Sequence, residues 1–384
     1  MKKIYIKENM CTIYKLIFHK IQNVLEKNGY IVVDDPQESD ICLAGLCAAF
    51  DADEKRSMEI VEEMEQADKP MYLYGCMITV NPADLRSNCQ FPSWKADKLV
   101  QELLHKENSC WDRETLPNDF RSVDDYRVYN PRKKFVGISS GCSFACSYCP
   151  HKIGAGNIVS FPEMEILNQI KAMKIKDTET IVITGTDTAC YGVDIGLSFS
   201  ILLRKILSIV PPHITIHISQ FNPEGLFIAK EDTDILLESF SCEIFEDIQL
   251  PIQTASLRLL QLMRRKYDMD ELNSFLTRVK KRNPRLMLRT DLLVGFPTET
   301  YEDLDASIAF ACKHYSEIAV YTFEMKSGTP IAKMNLPEFS EEEKEARRRY
   351  TVERARETGV LVHSGGQLLE TLIQNDTVKE GMRR

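Results

Sequence analysis

From Phe135 onward the chain repeats one grammar: a short apolar run, then a helical stretch, then another apolar run. Segments 135–139, 180–184, 215–219, 245–250, 286–294 and 317–323 have strand character, and segments such as 163–173 and 198–209 between them have helical spacing. A strand buried on both faces needs helices to cover it, so this alternation predicts an α/β fold with a parallel sheet. Repeated over such a length, it predicts a closed or partial TIM-type (β/α) barrel. Functional side chains then belong in the loops after the strands' carboxyl ends.

The first part of the chain uses the same grammar on a smaller scale. Strands are predicted at 3–7, 30–33, 40–46 and 70–74, and helices at 13–28 and 52–67, with Gly29 placed as a helix C-cap. The expected organisation is a small parallel α/β domain at 1–115, a linker at 116–133, the barrel at 134–337 and a C-terminal segment at 338–384. Within it, 92–130 reads as a helix followed by the linker. Segment 338–359 reads as a charged helix whose mixed signs suggest a solvated face.

Composition narrows the class. The 384 residues carry a net charge of −9, with 43% hydrophobic and 27% charged residues. The chain lacks the overall basic excess of a generic nucleic-acid binder, although a local basic patch stays open. It contains no run of eighteen apolar residues, so no membrane span is expected. Glu8 and Lys15 interrupt any signal-peptide core, and the default expectation is a cytoplasmic protein.

Twelve cysteines demand a reading. A disulfide framework suits small exported chains, so thiols for metal or catalysis are the better expectation. Cys142, Cys146 and Cys149 stand in a C-x3-C-x2-C spacing directly after a predicted strand and Gly141. Three thiolates can hold a four-iron cluster and leave one iron open for S-adenosylmethionine (SAM). A zinc site, which typically takes four ligands, and three unrelated buried thiols are the plainer alternatives. Cys11, Cys47 and Cys76 follow the first, third and fourth predicted strands, so they can converge on one sheet edge. Taken on spacing alone, three core thiols explain them equally well. Cys42 reads as core, Cys89, Cys110, Cys242 and Cys312 as structural, and Cys190 as packing.

The cysteine loop, with Tyr148 before its last cysteine, resembles the radical SAM signature. Further segments resemble the radical SAM methylthiotransferase family, whose members act on tRNA or a ribosomal protein. They are Glu26-Lys-Asn-Gly-Tyr30, Ser39-Asp-Ile41 and Gly75-Cys76, then Ile183-Thr-Gly-Thr-Asp-Thr-Ala-Cys-Tyr-Gly192. Leu250-Pro-Ile-Gln-Thr-Ala-Ser256, Leu262-Met-Arg-Arg-Lys-Tyr267, Asp291-Leu-Leu-Val-Gly-Phe-Pro-Thr-Glu299 and Gly328-Thr-Pro330 complete the series.

The resemblance implies a [4Fe–4S] cluster on Cys142, Cys146 and Cys149, and a second, auxiliary [4Fe–4S] cluster on Cys11, Cys47 and Cys76. It implies that one SAM methylates a sulfur on the auxiliary cluster. A second SAM supplies the radical that lets the methylthio group replace an unactivated C–H. By the same analogy Tyr148, Thr184, Gly185, Asp187, Gln253, Val294 and Phe296 contact SAM. Asp187 and Glu299 bind polar ends of SAM or cap helices, Gln253 reaches substrate or closes a loop, and His217, Ser219 and Asp291 either face the cavity or serve buried hydrogen bonds. A reducing partner such as flavodoxin or ferredoxin is expected. The alternative is a radical SAM enzyme that uses the auxiliary cluster for sulfur insertion or electron transfer without methylthiolation.

Three departures bear on substrate. The family's arginine-glycine pair and serine-arginine pair correspond here to Gly154-Ala155-Gly156 and Ser160-Phe161, so both arginines are missing. Arginine holds anions bidentately, and its loss implies altered contacts. The family's Ser-Gly-Ser is Thr254-Ala255-Ser256. Members normally end in a TRAM domain, a small β-barrel. Only the stretch from Val360 to Arg384 is available for it, and 360–363 is its expected first strand. A truncated or absent TRAM domain leaves a peptide or protein substrate competitive with tRNA.

Overall fold

The amino-terminal strands stack beside one another because their connecting helices cross over, which parallel pairing requires. β1 (Lys2–Glu8), α1 (Thr12–Lys27), β2 (Tyr30–Val33), β3 (Ile41–Leu46), α2 (Asp51–Glu65), β4 (Met71–Gly75), α3 (Met77–Val80), β5 (Cys89–Pro92) and α4 (Ala96–Leu104) follow in order. The sheet order is β2-β1-β3-β4-β5, with every pairing parallel. β3 and β4 are buried along their whole length. Ile13, Phe18 and Leu99 of α1 and α4 cover one face, and Ile60, Met64 and Met77 of α2 and α3 the other. The computed structural model describes residues 2–82, 85, 89–92, 96–104, 133–173, 175 and 179–364. The expected linker up to residue 132, Cys110, the side chain of Cys89 and everything beyond Ser364 lie outside them.

The second unit runs β6 (Lys133–Ser140), α5 (His151–Gly154), β7 (Val159–Ser160), α6 (Glu163–Ala172), β8 (Thr180–Gly185), α7 (Phe199–Ile209), β9 (Thr215–Ile218) and α8 (Lys230–Phe240). It continues with β10 (Phe245–Gln249), α9 (Leu257–Leu262), α10 (Met269–Arg282), β11 (Met287–Val294), α11 (Tyr301–His314), β12 (Glu317–Thr322), α12 (Glu341–Arg356) and β13 (Leu361–Ser364). The eight strands lie in the order β13-β12-β11-β10-β9-β8-β6-β7. All pairings are parallel except the short β7 against β6. The sheet has two edges, so the barrel is partial.

Strand alternation sorts its two faces. Ile181, Ile183, Ile216 and Ile218 pack into the helix layer. The opposite face carries a ladder of buried charges. His217 pairs with Asp247, Arg289 reaches Asp247 at 3.5 Å and Glu317 at 3.3 Å, and His363 meets Glu317 at 3.2 Å. Burial alone would push the Asp247 carboxyl up, but His217 and Arg289 hold it well below the usual range.

Three expectations are corrected here. Segment 360–363, expected to open a TRAM barrel, instead supplies β13, which pairs parallel with β12. Its alternation decides this: Val362 enters the barrel core while His363 joins the charge ladder. The expected barrel limit at 337 therefore falls short of the last barrel strand. The charged helix α12 is not merely a solvated face, since Lys344 and Arg347 are buried against the barrel. Their charges are paired, Lys344 with Glu338 and Glu341, and Arg347 with Glu343 and Glu299. Mixed signs allowed burial because each cation brought its own acid.

The two units meet along a seam. α1 lies on β6, and a Cβ added to Gly137 would sit 2.8 Å from Ile13 Cδ1. Glycine there lets helix and strand approach closely. At the other end, Lys326 Nζ is buried among Asp51, Glu54 (2.7 Å) and Glu324 (3.4 Å). Phe50 stacks on Tyr321 beside it, with ring centroids 5.6 Å apart. Among the described residues, no helix is long and apolar enough to cross a membrane.

Candidate metal centre

Sheet order brings the first three cysteines together. Cys11 follows β1 and precedes α1, Cys47 follows β3, and Cys76 follows β4. β1, β3 and β4 are consecutive neighbours in the sheet, so their carboxyl ends lie side by side. Burial pushes the Cys11 thiol up to about 11, with Asp53 adding to it. Cys47 is raised by burial first, then by Cys11 and Asp53. Cys76 is raised by burial, then by Cys11, Cys47 and Cys149. The three thiols thus stand at the carboxyl ends of adjacent strands, with Cys11 acting on both Cys47 and Cys76. Gly154, in the helix that follows Cys149, packs on Cys76, where an added Cβ would lie 3.3 Å from the sulfur, so the loop of the second trio lies against the first.

The second trio occupies the loop after β6. Its conformation is fixed from both units and both ends. Gly141 N–H donates to Thr186 Oγ1 at 3.0 Å and to Tyr14 Oη of α1 at 3.2 Å. Lys152 Nζ donates to the Cys142 carbonyl at 2.6 Å. Ser147 N–H reaches the Met263 carbonyl at 2.9 Å, and Ile331 N–H returns to the Ser147 carbonyl at 2.9 Å. The segments 262–267 and 328–330 therefore converge on the cysteine loop although they are remote in sequence.

Arg265 is the buried cation of this centre. Its Nη1 lies 3.9 Å from Cys146 Sγ and 3.3 Å from Tyr148 Oη, while Nη2 donates to Asn222 Oδ1 and the Pro251 carbonyl. Burial pushes Cys146 up to about 11, against the pull of Arg265. His151 Nδ1 stands 3.5 Å from Cys149 Sγ. Cys142 Sγ lies 4.0 Å from Asp187 Oδ2 and 3.7 Å from Cys190 Sγ. Burial raises the Asp187 carboxyl to about 7, opposed by the amides of Asn222 and Ala189. Every cysteine whose side chain is described is a free thiol.

The other predicted contacts divide. Tyr148 meets Phe296 edge-on at 6.3 Å, so these two join the loop. Gly185 ends β8, where a Cβ would lie 2.8 Å from Ser139 Oγ, and Thr184 Oγ1 accepts from Ser219 Oγ at 3.0 Å. Asp187 faces Cys142 and also caps the 3-10 turn Thr188–Cys190. Gln253 acts through its backbone, exchanging hydrogen bonds with Asp291 and Leu293. The Val294 side chain lies in the helix layer, which leaves its backbone for the expected contact. Glu299 caps no helix; its Oε2 accepts from Gly295 N–H at 2.7 Å. His217 serves a buried polar contact with Asp247, while the half-buried Asp291 accepts from Gln249 Nε2 at 3.2 Å.

Arg265, Cys190, His151, Tyr14 and Lys326 were not assigned site roles from sequence. Arg265 stands in the quoted segment 262–267, but nothing in its spacing says that it turns toward a thiol. Cys190 packs with its sulfur against that of Cys142. Cys242 is exposed, so packing does not account for it.

Residues 136–311 match the Radical SAM superfamily, and residues 3–93 match Uncharacterized protein family UPF0004. A probable threonylcarbamoyladenosine tRNA methylthiotransferase of Pyrococcus horikoshii is 26% identical over 345 residues, covering 87% of this chain and 79% of the relative. The chain belongs to the radical SAM methylthiotransferase family. The human threonylcarbamoyladenosine tRNA methylthiotransferase is 24% identical over 317 residues, covering 80% of this chain and 54% of the relative. In fold, the chain is similar to the radical SAM methyltransferase TsrM of Kitasatospora setae, with a TM-score of 0.62 at 13% identity over 86% of this chain and 75% of that one. This radical SAM methylthiotransferase thus pairs a barrel built for SAM with an N-terminal domain holding three further thiols.

The donor set fits the cofactor that the family implies. Thiolates are the usual ligands of iron–sulfur clusters; one trio stands at the ends of three neighbouring strands and the other in the single loop after β6. The Arg265 cation beside Cys146 offsets negative charge that thiolate ligands would otherwise bury unpaired.

Proposed function

We propose that this enzyme inserts a methylthio group at an unactivated C–H, using one SAM as methyl donor and a second as radical source. The observation that carries this reading is the adjacency of the two cysteine trios, expressed in the packing of Gly154, in the helix after Cys149, against Cys76. A cluster on Cys142, Cys146 and Cys149 would supply the electron that cleaves SAM, and one on Cys11, Cys47 and Cys76 the sulfur that is methylated and transferred. Electrons would come from a small reducing protein such as flavodoxin or ferredoxin.

The chain's own residues do the positioning. Tyr14 and Thr186 hold Gly141, and Met263 and Ile331 hold Ser147, so the thiols of the loop keep a fixed spread. Tyr148, Thr184, Gly185, Asp187, Gln253 and Phe296 would bind SAM at the carboxyl ends of the strands. Of these, Asp187 offers a carboxylate to the amino group of SAM, and Phe296 and Tyr148 offer apolar surface. Excluding water from this pocket protects the radical from quenching.

The relatives' names support a tRNA nucleoside as substrate. A peptide or protein substrate is favoured by a different observation. Val159, Val193 and Ile195 are exposed at the rim beside the cysteine loop, where Ser160 N–H bonds Asp194 and Gly192 N–H bonds Ser160. Anaerobic turnover with methyl-labelled SAM in a cell extract decides between them. Label in the RNA fraction supports the first substrate and label in protein the second. A modified product without label would overturn methylthiolation and leave sulfur insertion.

A further inference from the structure

Cys190 follows β8 and Cys142 follows β6, and these strands are neighbours, so the loops beyond them run side by side. Cys190 is completely buried. Its sulfur accepts a hydrogen bond from Ser143 N–H at 3.3 Å and touches Cys142 Sγ at 3.7 Å. With Ser143 N–H directed at this sulfur, the thiol proton has to point elsewhere. No solvent reaches it. Cys142 Sγ is the acceptor in contact. Asp187 also lies near this pair, but its Oδ1 is committed to the Ala189 and Asn222 amides, and its Oδ2 faces Cys142.

We infer that Cys190 donates an S–H···S hydrogen bond to the Cys142 ligand sulfur and so raises the reduction potential of the radical cluster. This rests on the assignment of Cys142 as a cluster ligand. Hydrogen bonds to cysteine sulfurs withdraw electron density from an iron–sulfur cluster and are one of the protein's levers on its potential. The Ser143 amide strengthens the donor by polarising the sulfur it bonds. Cys190 is thus a positioning and tuning residue rather than a ligand. It makes the cluster easier to reduce without adding a fourth thiolate to it.

The test is an EPR-monitored redox titration of the reconstituted full-length protein, following the signal that changes when SAM is added. Cys190→Ala should retain wild-type iron content yet move the midpoint of that signal to more negative potential. Cys190→Ser, which keeps a donor, should recover part of the shift. A wild-type midpoint in Cys190→Ala would overturn the inference. So would loss of iron in both variants, because Cys190 would then be a ligand or a scaffold residue. Cys142→Ala is the separate control: if its SAM-responsive signal survives, the ligand assignment itself is wrong.

Discussion

Gly154 rests directly on Cys76: a Cβ added to Gly154 would lie 2.8 Å from Cys76 Cβ and 3.3 Å from its Sγ. Gly154 ends the short helix that follows Cys149, so this contact joins the loop of one trio to a thiol of the other. The family's usual arginine-glycine pair corresponds to the segment that begins at this glycine, which gives the departure a structural meaning. Here the segment packs against the N-terminal sheet rather than presenting a cation.

Gly154→Ala should therefore separate the two trios. The new methyl meets a backbone-linked carbon, so the seam must shift rather than a flexible side chain. We expect a stability cost of about 1–3 kcal/mol. Product formation should fall on the order of tenfold or more, because reacting groups lose alignment. Cleavage of SAM to 5′-deoxyadenosine, which needs only the barrel trio, should fall far less. Product and 5′-deoxyadenosine measured in the same assay check this.

Lys326→Met should loosen the same seam from its other end. It removes the cation that Asp51, Glu54 and Glu324 surround. The cost should be roughly 1–3 kcal/mol, below that of a fully buried pair because Asp51 is largely solvated. Burial opposes the lysine's charge, but Asp51 and Glu54 win and raise its pKa above 10.5. A raised basic pKa gives stability that is complete below the ordinary value and is lost only above it. The deficit of Lys326→Met in urea unfolding should thus be constant from pH 6 to 9, and Lys326→Arg should recover part of it.

Asp291 gives the opposite kind of pH dependence. Burial raises its carboxyl to about 6, against the hydrogen bond from Gln249 and the pull of Arg265. The folded state therefore holds this proton more tightly than the unfolded chain. The stabilising contribution is complete below the ordinary value of 3.8 and is lost as pH rises through about 6. Asp291→Asn should gain on wild type by on the order of 2–3 kcal/mol between pH 4 and 7 in the cluster-free, SAM-free protein. Thermal unfolding of both proteins across that range checks the sign.

Much of this architecture was legible beforehand because it depends on periodicity and spacing. The strand 30–33 was read to the residue, and the six barrel strands fell within a few residues of their observed ends, since buried parallel strands leave continuous apolar runs. The placement of Cys11, Cys47 and Cys76 at the ends of parallel strands was legible too, and the strand order makes those strands neighbours. What stayed hidden depends on pairing across long sequence separations. β13 looked like the start of a new domain because a short strand carries no sign of its partner, and only its register with β12 shows where it belongs. α12 looked solvated because charge alone does not reveal that Lys344 and Arg347 are buried with their acids. Arg265 and Cys190 touch Cys146 and Cys142 through folds of chain that no local pattern encodes.

The central claim is that the six cysteines form two separate three-thiol sites. Iron and sulfide analysis of the anaerobically reconstituted protein and two triple variants tests it most directly. Wild type should hold about eight of each per chain, as two four-iron clusters require. Changing Cys142, Cys146 and Cys149 to Ala should leave about four and abolish SAM cleavage. Changing Cys11, Cys47 and Cys76 to Ala should also leave about four while SAM cleavage persists. Unchanged iron in either variant, or SAM cleavage that survives loss of the barrel trio, would contradict the account.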